Sequence, residues 1–230
     1  MTTDHTLKAF DHDLSVLRKL VEDLGDSVND QLGRATTALF EGDRALAESV
    51  IEADAAVDAI EQNLHGEVVR LIARYQAMAG DLREIVAAER IASNLERAGD
   101  HAKSIAKRSI VLGGAVPAPV ADMLGRLANE VRTMLATVLD AFRRRDAEDA
   151  DRVWFGDAEL DEHYDDFFHR VMSGMQDGRE SILVGTHLLF VAKSLERIGD
   201  HATNIAEEIR FMITGQPRQR RPTPGSRPEP

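Results

Sequence analysis

The 230-residue sequence contains no cysteine, which excludes disulfides and thiolate metal centres and is compatible with a reducing compartment. Proline is scarce and confined. None of the seven lies between Met1 and Val116 or between Val120 and Gln216. A proline costs a helix interior about 3 kcal/mol, so both intervals are open to long helices. Aromatic residues make up only 5%, while Ala and Leu are abundant, and that balance favours helix over strand. No apolar run reaches the roughly 18 residues of a membrane-spanning helix. The opening Met1-Thr2-Thr3-Asp4-His5 has neither the basic nor the apolar part of a secretion signal. Net charge is −12, which makes nucleic acid and anionic membranes poor partners for the body of the protein. Arg218, Arg220, Arg221 and Arg227 are a local exception near the C-terminus. The expectation is a soluble, cytoplasmic protein with a sizeable core, since hydrophobic residues make up 43%.

What the sequence does contain is one statement made twice. Residues 92–106 read ASNLERAGDHAKSIA and residues 192–206 read AKSLERIGDHATNIA, with 10 of 15 positions identical. Unrelated helices of ordinary composition share about one position in fifteen. The chain is therefore an internal duplication, and each copy carries Glu-Arg-x-Gly-Asp-His.

Hydrophobic periodicity divides the first copy into three helices. Phe10, Leu14, Leu17, Val21, Leu24, Val28, Leu32, Ala35 and Leu39 step by three and four, the mark of an amphipathic helix. Gly42-Asp43 ends that helix and caps the next, whose stripe is Val50, Val57, Leu64, Val68, Leu71 and Tyr75. Gly80-Asp81, with Glu84 three residues on, predicts a capping-box start for the third. Its stripe is Ala88, Ala92, Leu95, Gly99, Ala102 and Ala106. Asp43, Asp54 and Asp58 recur as Asp146, Asp157 and Asp161 at an offset of 103, whereas the third helix recurs at 100, so a loop three residues shorter is expected in the second copy. The expected fold is all-α: two tandem three-helix bundles with antiparallel packing. The first covers residues 1–114, a Gly/Pro linker 115–119, the second bundle 120–214, and a disordered Pro/Arg-rich tail 215–230.

The chemistry resides in acidic pairs. Glu96 and Asp100 are four residues apart and share one helix face, as do Glu196 and Asp200, Asp54 and Asp58, and Asp157 and Asp161. At 100° per residue, Glu96 and Asp100 sit about 100° and about 140° from the centre of their stripe. Asp54 and Asp58 sit about 60° and about 100° from theirs. The pairs thus flank the apolar stripes, and neighbouring helices can bring them face to face. Crowded carboxylates repel and raise one another's pKa, a penalty that a hard multivalent cation removes. Oxygen-only ligands suit Mg, Mn, Ca or iron better than zinc. Each bundle is therefore expected to hold a carboxylate metal site, with room for more than one ion. A solvated acidic face is the plain alternative, and the recurrence of both pairs in both copies weighs against it.

Other motif residues have weaker claims. His101 is turned about 100° away from Asp100, which suits a supporting or surface role. Arg97 and Arg197 fall on the outer face, where they can pair with Asp100 and Asp200 or meet a partner. Gly99 and Gly199 lie on the stripe, where glycine costs about 1 kcal/mol relative to alanine, so close helix approach is the expected reason. Glu61 and His65 are set aside as ligands because Tyr164 and Phe168 replace them in the second copy.

These doubled LERxGDHAxxIA motifs, the Asp-x-x-x-Asp on each second helix and the three-plus-three layout resemble the bacterial PhoU family over about residues 7–214. The resemblance implies a non-enzymatic cytoplasmic negative regulator of phosphate uptake and of the phosphate-starvation response. It implies partners, namely the ATPase subunit of a phosphate ABC transporter and a phosphate-sensing histidine kinase, with the membrane met only through them, and commonly a homodimer. It further implies metal ions (Fe, Mn, Mg or Zn), in multinuclear clusters in some members, on Asp54, Asp58, Glu96 and Asp100 and on Asp157, Asp161, Glu196 and Asp200. Two rivals stand beside it. A ferritin-like metal oxidase would use Glu-x-x-His, which this chain lacks. A structural helical adaptor would use the acidic pairs as surface only. Serine-nucleophile chemistry has no G-x-S-x-G elbow to rest on.

Overall fold

The computed structural model describes residues 2–114, 116–175 and 179–216. The arginines expected in the tail, and the tail beyond Gln216, lie outside the described residues. Among the described residues six helices follow in order: α1 (Thr2–Glu41), α2 (Arg44–Arg74), α3 (Ala79–Leu112), α4 (Ala118–Arg144), α5 (Ala147–Gly174) and α6 (Arg179–Thr214). Among the described residues there is no strand, and no helix is long and apolar enough to cross a membrane. Helices α1–α3 pack as one bundle and α4–α6 as the other, joined mainly by α3 against α6 and to a lesser extent by α1 against α4.

The predicted stripes form the core. Leu17, Val21, Leu24, Val28, Leu32 and Ala35 of α1 are fully buried, and Leu127, Val131, Leu135 and Val138 repeat the row on α4. The buried faces of α3 and α6 mix alanines, such as Ala92, Ala102, Ala192 and Ala202, with larger residues such as Ile91, Leu95, Leu195 and Ile205. These two helices pack extensively on each other, which puts α3 and α6 at the centre.

The turns follow the expected chemistry in part. Gly42 has φ 67°, in the left-handed region, and the Asp43 N–H donates to the Ala38 carbonyl at 3.0 Å. The Asp43 carboxylate then accepts from the Leu46 N–H at 3.0 Å, capping α2. Asp146 caps α5 in the same way, accepting from Glu148 and Asp149. Its preceding residue is Arg145, non-glycine at φ 53°, a conformation that costs an L-residue roughly 1–2 kcal/mol. Pro117 and Pro119 bracket the start of α4 at Ala118, where a missing N–H is harmless.

One expectation is corrected. Helix α3 begins at Ala79 behind Met78, which makes no side-chain cap, so Gly80 and Asp81 belong to its first turn. Glu84 is not a capping-box residue. Its side chain is buried and takes an ion pair from Arg18 of α1 and another, at 2.8 Å, from Arg145. One carboxylate thus ties α1 and α3 to the α4–α5 turn. The connection expected to be shorter in the second copy includes positions 176–178, which lie outside the described residues; among the described residues α5 has 28 residues where α2 has 31. The helix simply stops three residues sooner.

The glycine expectation holds. A Cβ on Gly199 would collide with Leu160 of α5, and one on Gly99 would meet Gln31 Oε1 at 3.0 Å and Val57 Cγ1 at 3.5 Å. Replacing Gly199 with Val should therefore cost about 1–3 kcal/mol through overpacking, seen as a lowered denaturation midpoint.

Glu84 supplies a pH dependence. Burial would raise its pKa, but the Arg18 and Arg145 hydrogen bonds outweigh burial and hold it below the ordinary carboxylate value. A depressed folded-state pKa gives stability that is complete above the unfolded value and is lost as pH falls through the folded one. Glu84→Gln should lose about 2 kcal/mol at neutral pH, a figure moderated by the partly exposed arginines. It should also flatten the acid limb of a stability–pH curve measured by urea unfolding.

Candidate functional site

Each acidic pair lies where its helix meets the next. In the first bundle, Asp54 of α2 is only 3% exposed, so it needs a partner. It has two: Gln31 Nε2 donates to Oδ1 at 3.1 Å, and the Lys103 ammonium pairs with Oδ2. Lys103 also stands 3.7 Å from Asp100 Oδ1 on its own helix. Asp58 and Asp100 are exposed, and Glu96 is half-buried between them. Burial first, then the charges of Asp100, Asp58 and Glu61, push the Glu96 carboxyl up from its ordinary value.

The second bundle repeats the acids and changes their surroundings. Thr203 stands in the place of Lys103, and its hydroxyl donates to Asp157 Oδ1 at 3.2 Å. Glu196 takes Lys193 at 2.7 Å on one oxygen, while its buried Oε2 has no hydrogen-bond partner and stands 3.7 Å from Arg197 Nε. Asp200 accepts from Arg197 at 3.0 Å, one of the pairings expected of the outer-face arginines. Its pKa is nevertheless pushed up to about 6, by burial first and then by Glu196, with Asp157 adding to the effect. Asp161 is exposed on the next turn of α5. Asp157, Asp200, His201, Thr203, Glu207 and Trp154 line a cleft of about 400 Å³.

The carboxylates therefore face one another across each seam closely enough to perturb titration. Among the described residues, no three of the eight bring donor atoms within 4.8 Å of one another. Glu130, Glu159 and His163 do, and sequence reasoning missed them because Glu130 comes from a different helix. The i,i+4 spacing of Glu159 and His163 was the one available signal. Lys103 was also missed. Its place inside the repeated motif was visible, but its reach to Asp54 depends on how α2 and α3 pack.

His101 does more than the helical wheel suggests. It stacks on its own counterpart His201, with ring centroids 5.8 Å apart and planes 28° apart. The two motif copies thus meet in a self-complementary contact at the α3–α6 seam. His201, with its proton on Nδ1, donates to Asn94 Oδ1 at 3.0 Å. Burial first lowers both histidines, His201 to about 4, with further depression from His101, Arg97 and Arg197. The lowered values favour uncharged rings, which avoid the repulsion that a stacked imidazolium pair would suffer. Glu61 neighbours Glu96, while His65 pairs with Glu89 at 2.6 Å.

Comparison with known proteins agrees with this architecture. The PhoU domain family model matches residues 21–109 and again residues 124–209. The phosphate-specific transport system accessory protein PhoU homolog of Caulobacter vibrioides is 41% identical over 215 residues, which is 93% of this chain and 94% of that protein. The protein of the same description from Rhizobium meliloti is 40% identical, over 96% of this chain and 94% of its own length. Among solved structures, PhoU from Pseudomonas aeruginosa superposes with a TM-score of 0.87 at 33% identity, covering 90% of this chain and all of that one. The phosphate transport system regulatory protein PhoU from Streptococcus pneumoniae gives 0.83 at 29% identity, covering 91% of this chain and 99% of its own. Two family domains in tandem, across the two bundles that carry the doubled motif, make this chain a member of the PhoU family.

Proposed function

We propose that this chain is a non-enzymatic regulatory accessory protein of a phosphate-specific transport system, acting in the cytoplasm as a homodimer. It restrains phosphate uptake and the phosphate-starvation response by linking the ATPase subunit of the transporter to a phosphate-sensing histidine kinase. The observation that carries this reading is the match over more than nine-tenths of the chain to relatives described as accessory proteins of phosphate-specific transport. Binding of protein partners suits the surface, because a strongly acidic body repels nucleic acid and attracts basic faces.

Metal ions belong to the same proposal, on Asp54, Asp58, Glu96 and Asp100 and on Asp157, Asp161, Glu196 and Asp200. The donor chemistry of the second bundle fits a cation. Its oxygens are hard, Glu196 Oε2 is buried without a hydrogen bond, and Asp200 ionises with difficulty. When bound, an ion there would neutralise the crowded carboxylates and brace α5 against α6. The first bundle favours a second reading. Lys103 already supplies a positive charge to Asp54 and Asp100, so that seam suits a metal-free structural role.

Deleting the gene should switch on a phosphate-starvation reporter in phosphate-rich medium, and a reporter that stays silent would refute the regulatory role. Elemental analysis of protein purified without chelator should find metal, and Asp157→Asn combined with Glu196→Gln should lower its content. Lys103→Thr, which imports the residue of the second copy, should raise the metal content. Unchanged content in both variants would leave the acidic pairs as surface alone.

A further inference from the structure

A second group of donor atoms lies on the other side of α5. Glu130 of α4 and Glu159 and His163 of α5 each offer one donor atom, all within 4.8 Å of one another. Glu159 and His163 are four residues apart and share one face of α5. His163 Nδ1 stands 2.8 Å from Glu130 Oε2 across the α4–α5 seam. Glu130 and His163 are partly buried while Glu159 is exposed, so the group is walled on the protein side and open to water on the other.

The duplication provides an internal control. At the offset of 103, the counterparts of these three residues are Ser27, Ala56 and Ile60. The apolar neighbours are kept, with Val28 and Val57 answering Val131 and Leu160, all buried. Packing of the first helix against the second is therefore achieved without the three side chains. The second copy places two carboxylates and an imidazole where the first has a hydroxyl, a methyl and a branched alkyl group, and the fold does not demand them.

We propose that Glu130, Glu159 and His163 form a divalent transition-metal site that clamps α4 to α5. Two carboxylates and a neutral imidazole carry a charge that a divalent ion cancels. Three protein ligands from two helices leave the remaining positions to water. The ion takes the place of the proton that His163 shares with Glu130, and that proton passes to solvent. A mixed nitrogen and oxygen set selects Zn, Co or Ni over Mg and Ca, which separates this site from the oxygen-only carboxylates between α5 and α6. It does not depend on those carboxylates binding metal.

The test uses the full chain, stripped with chelator and dialysed into excess Mg²⁺ to fill oxygen-only sites, then titrated with Zn²⁺. The wild type should bind one Zn²⁺ equivalent per chain more than His163→Gln or Glu130→Gln, and Zn²⁺ should raise its melting temperature but not theirs. Substituting Co²⁺ should give a visible absorption band that His163→Gln abolishes. His163→Ile, which installs the residue found at the equivalent place in the first bundle, serves as a second variant with an apolar side chain already compatible with such a seam. Equal Zn²⁺ stoichiometry in the wild type and both His163 variants would overturn the proposal.

Discussion

The packing of α3 against α6 is the constraint on which the rest depends. It brings His101 onto His201. Within each bundle a motif glycine seats its helix on the neighbours, Gly99 beside Gln31 and Val57 and Gly199 beside Leu160, and that packing brings each flanking Glu/Asp turn towards the helix beside it. A charged group drawn into such a seam must be compensated, because the desolvation cost of an unpaired buried carboxylate exceeds what surface charges gain. Much of the polar architecture follows from how each carboxylate is answered.

The two copies answer differently. In the first, Lys103 lies between Asp54 and Asp100 and a glutamine completes the contact. In the second, threonine replaces the lysine, the Asp200 pKa rises, and one oxygen of Glu196 is left without a hydrogen bond. The turns diverge as well. Gly42 takes a left-handed conformation without steric cost, while its counterpart turn places Arg145 there, its side chain paired with Glu84. A duplicated backbone has thus kept its apolar registers while its polar contacts separated.

Features set by local chemistry were readable along the chain. The stripes, the aspartate caps at 43 and 146 and the packing role of the two motif glycines depend on residues within a turn or two of each other. Glu84 misled because a Gly-Asp pair followed by an acid has the pattern of a capping box, yet its partners Arg18 and Arg145 are 66 and 61 positions away. Offset alone cannot distinguish a shortened helix from a shortened connection, and α5 is three residues shorter than α2. His101 was set aside because a helical wheel describes one helix, and its neighbour belongs to another.

By itself the sequence determined an all-α chain built twice from one three-helix plan, together with the helix face on which each acidic pair stands. Periodicity, proline placement and internal repetition are properties of consecutive residues, so they need no knowledge of packing. Tertiary structure alone decided that Lys103 neutralises Asp54, that the motif histidines stack on each other, and that Glu130 joins Glu159 and His163. Each of those contacts joins side chains from different helices. Their distances depend on where neighbouring helix axes cross, and side-chain bulk across the whole seam sets that crossing.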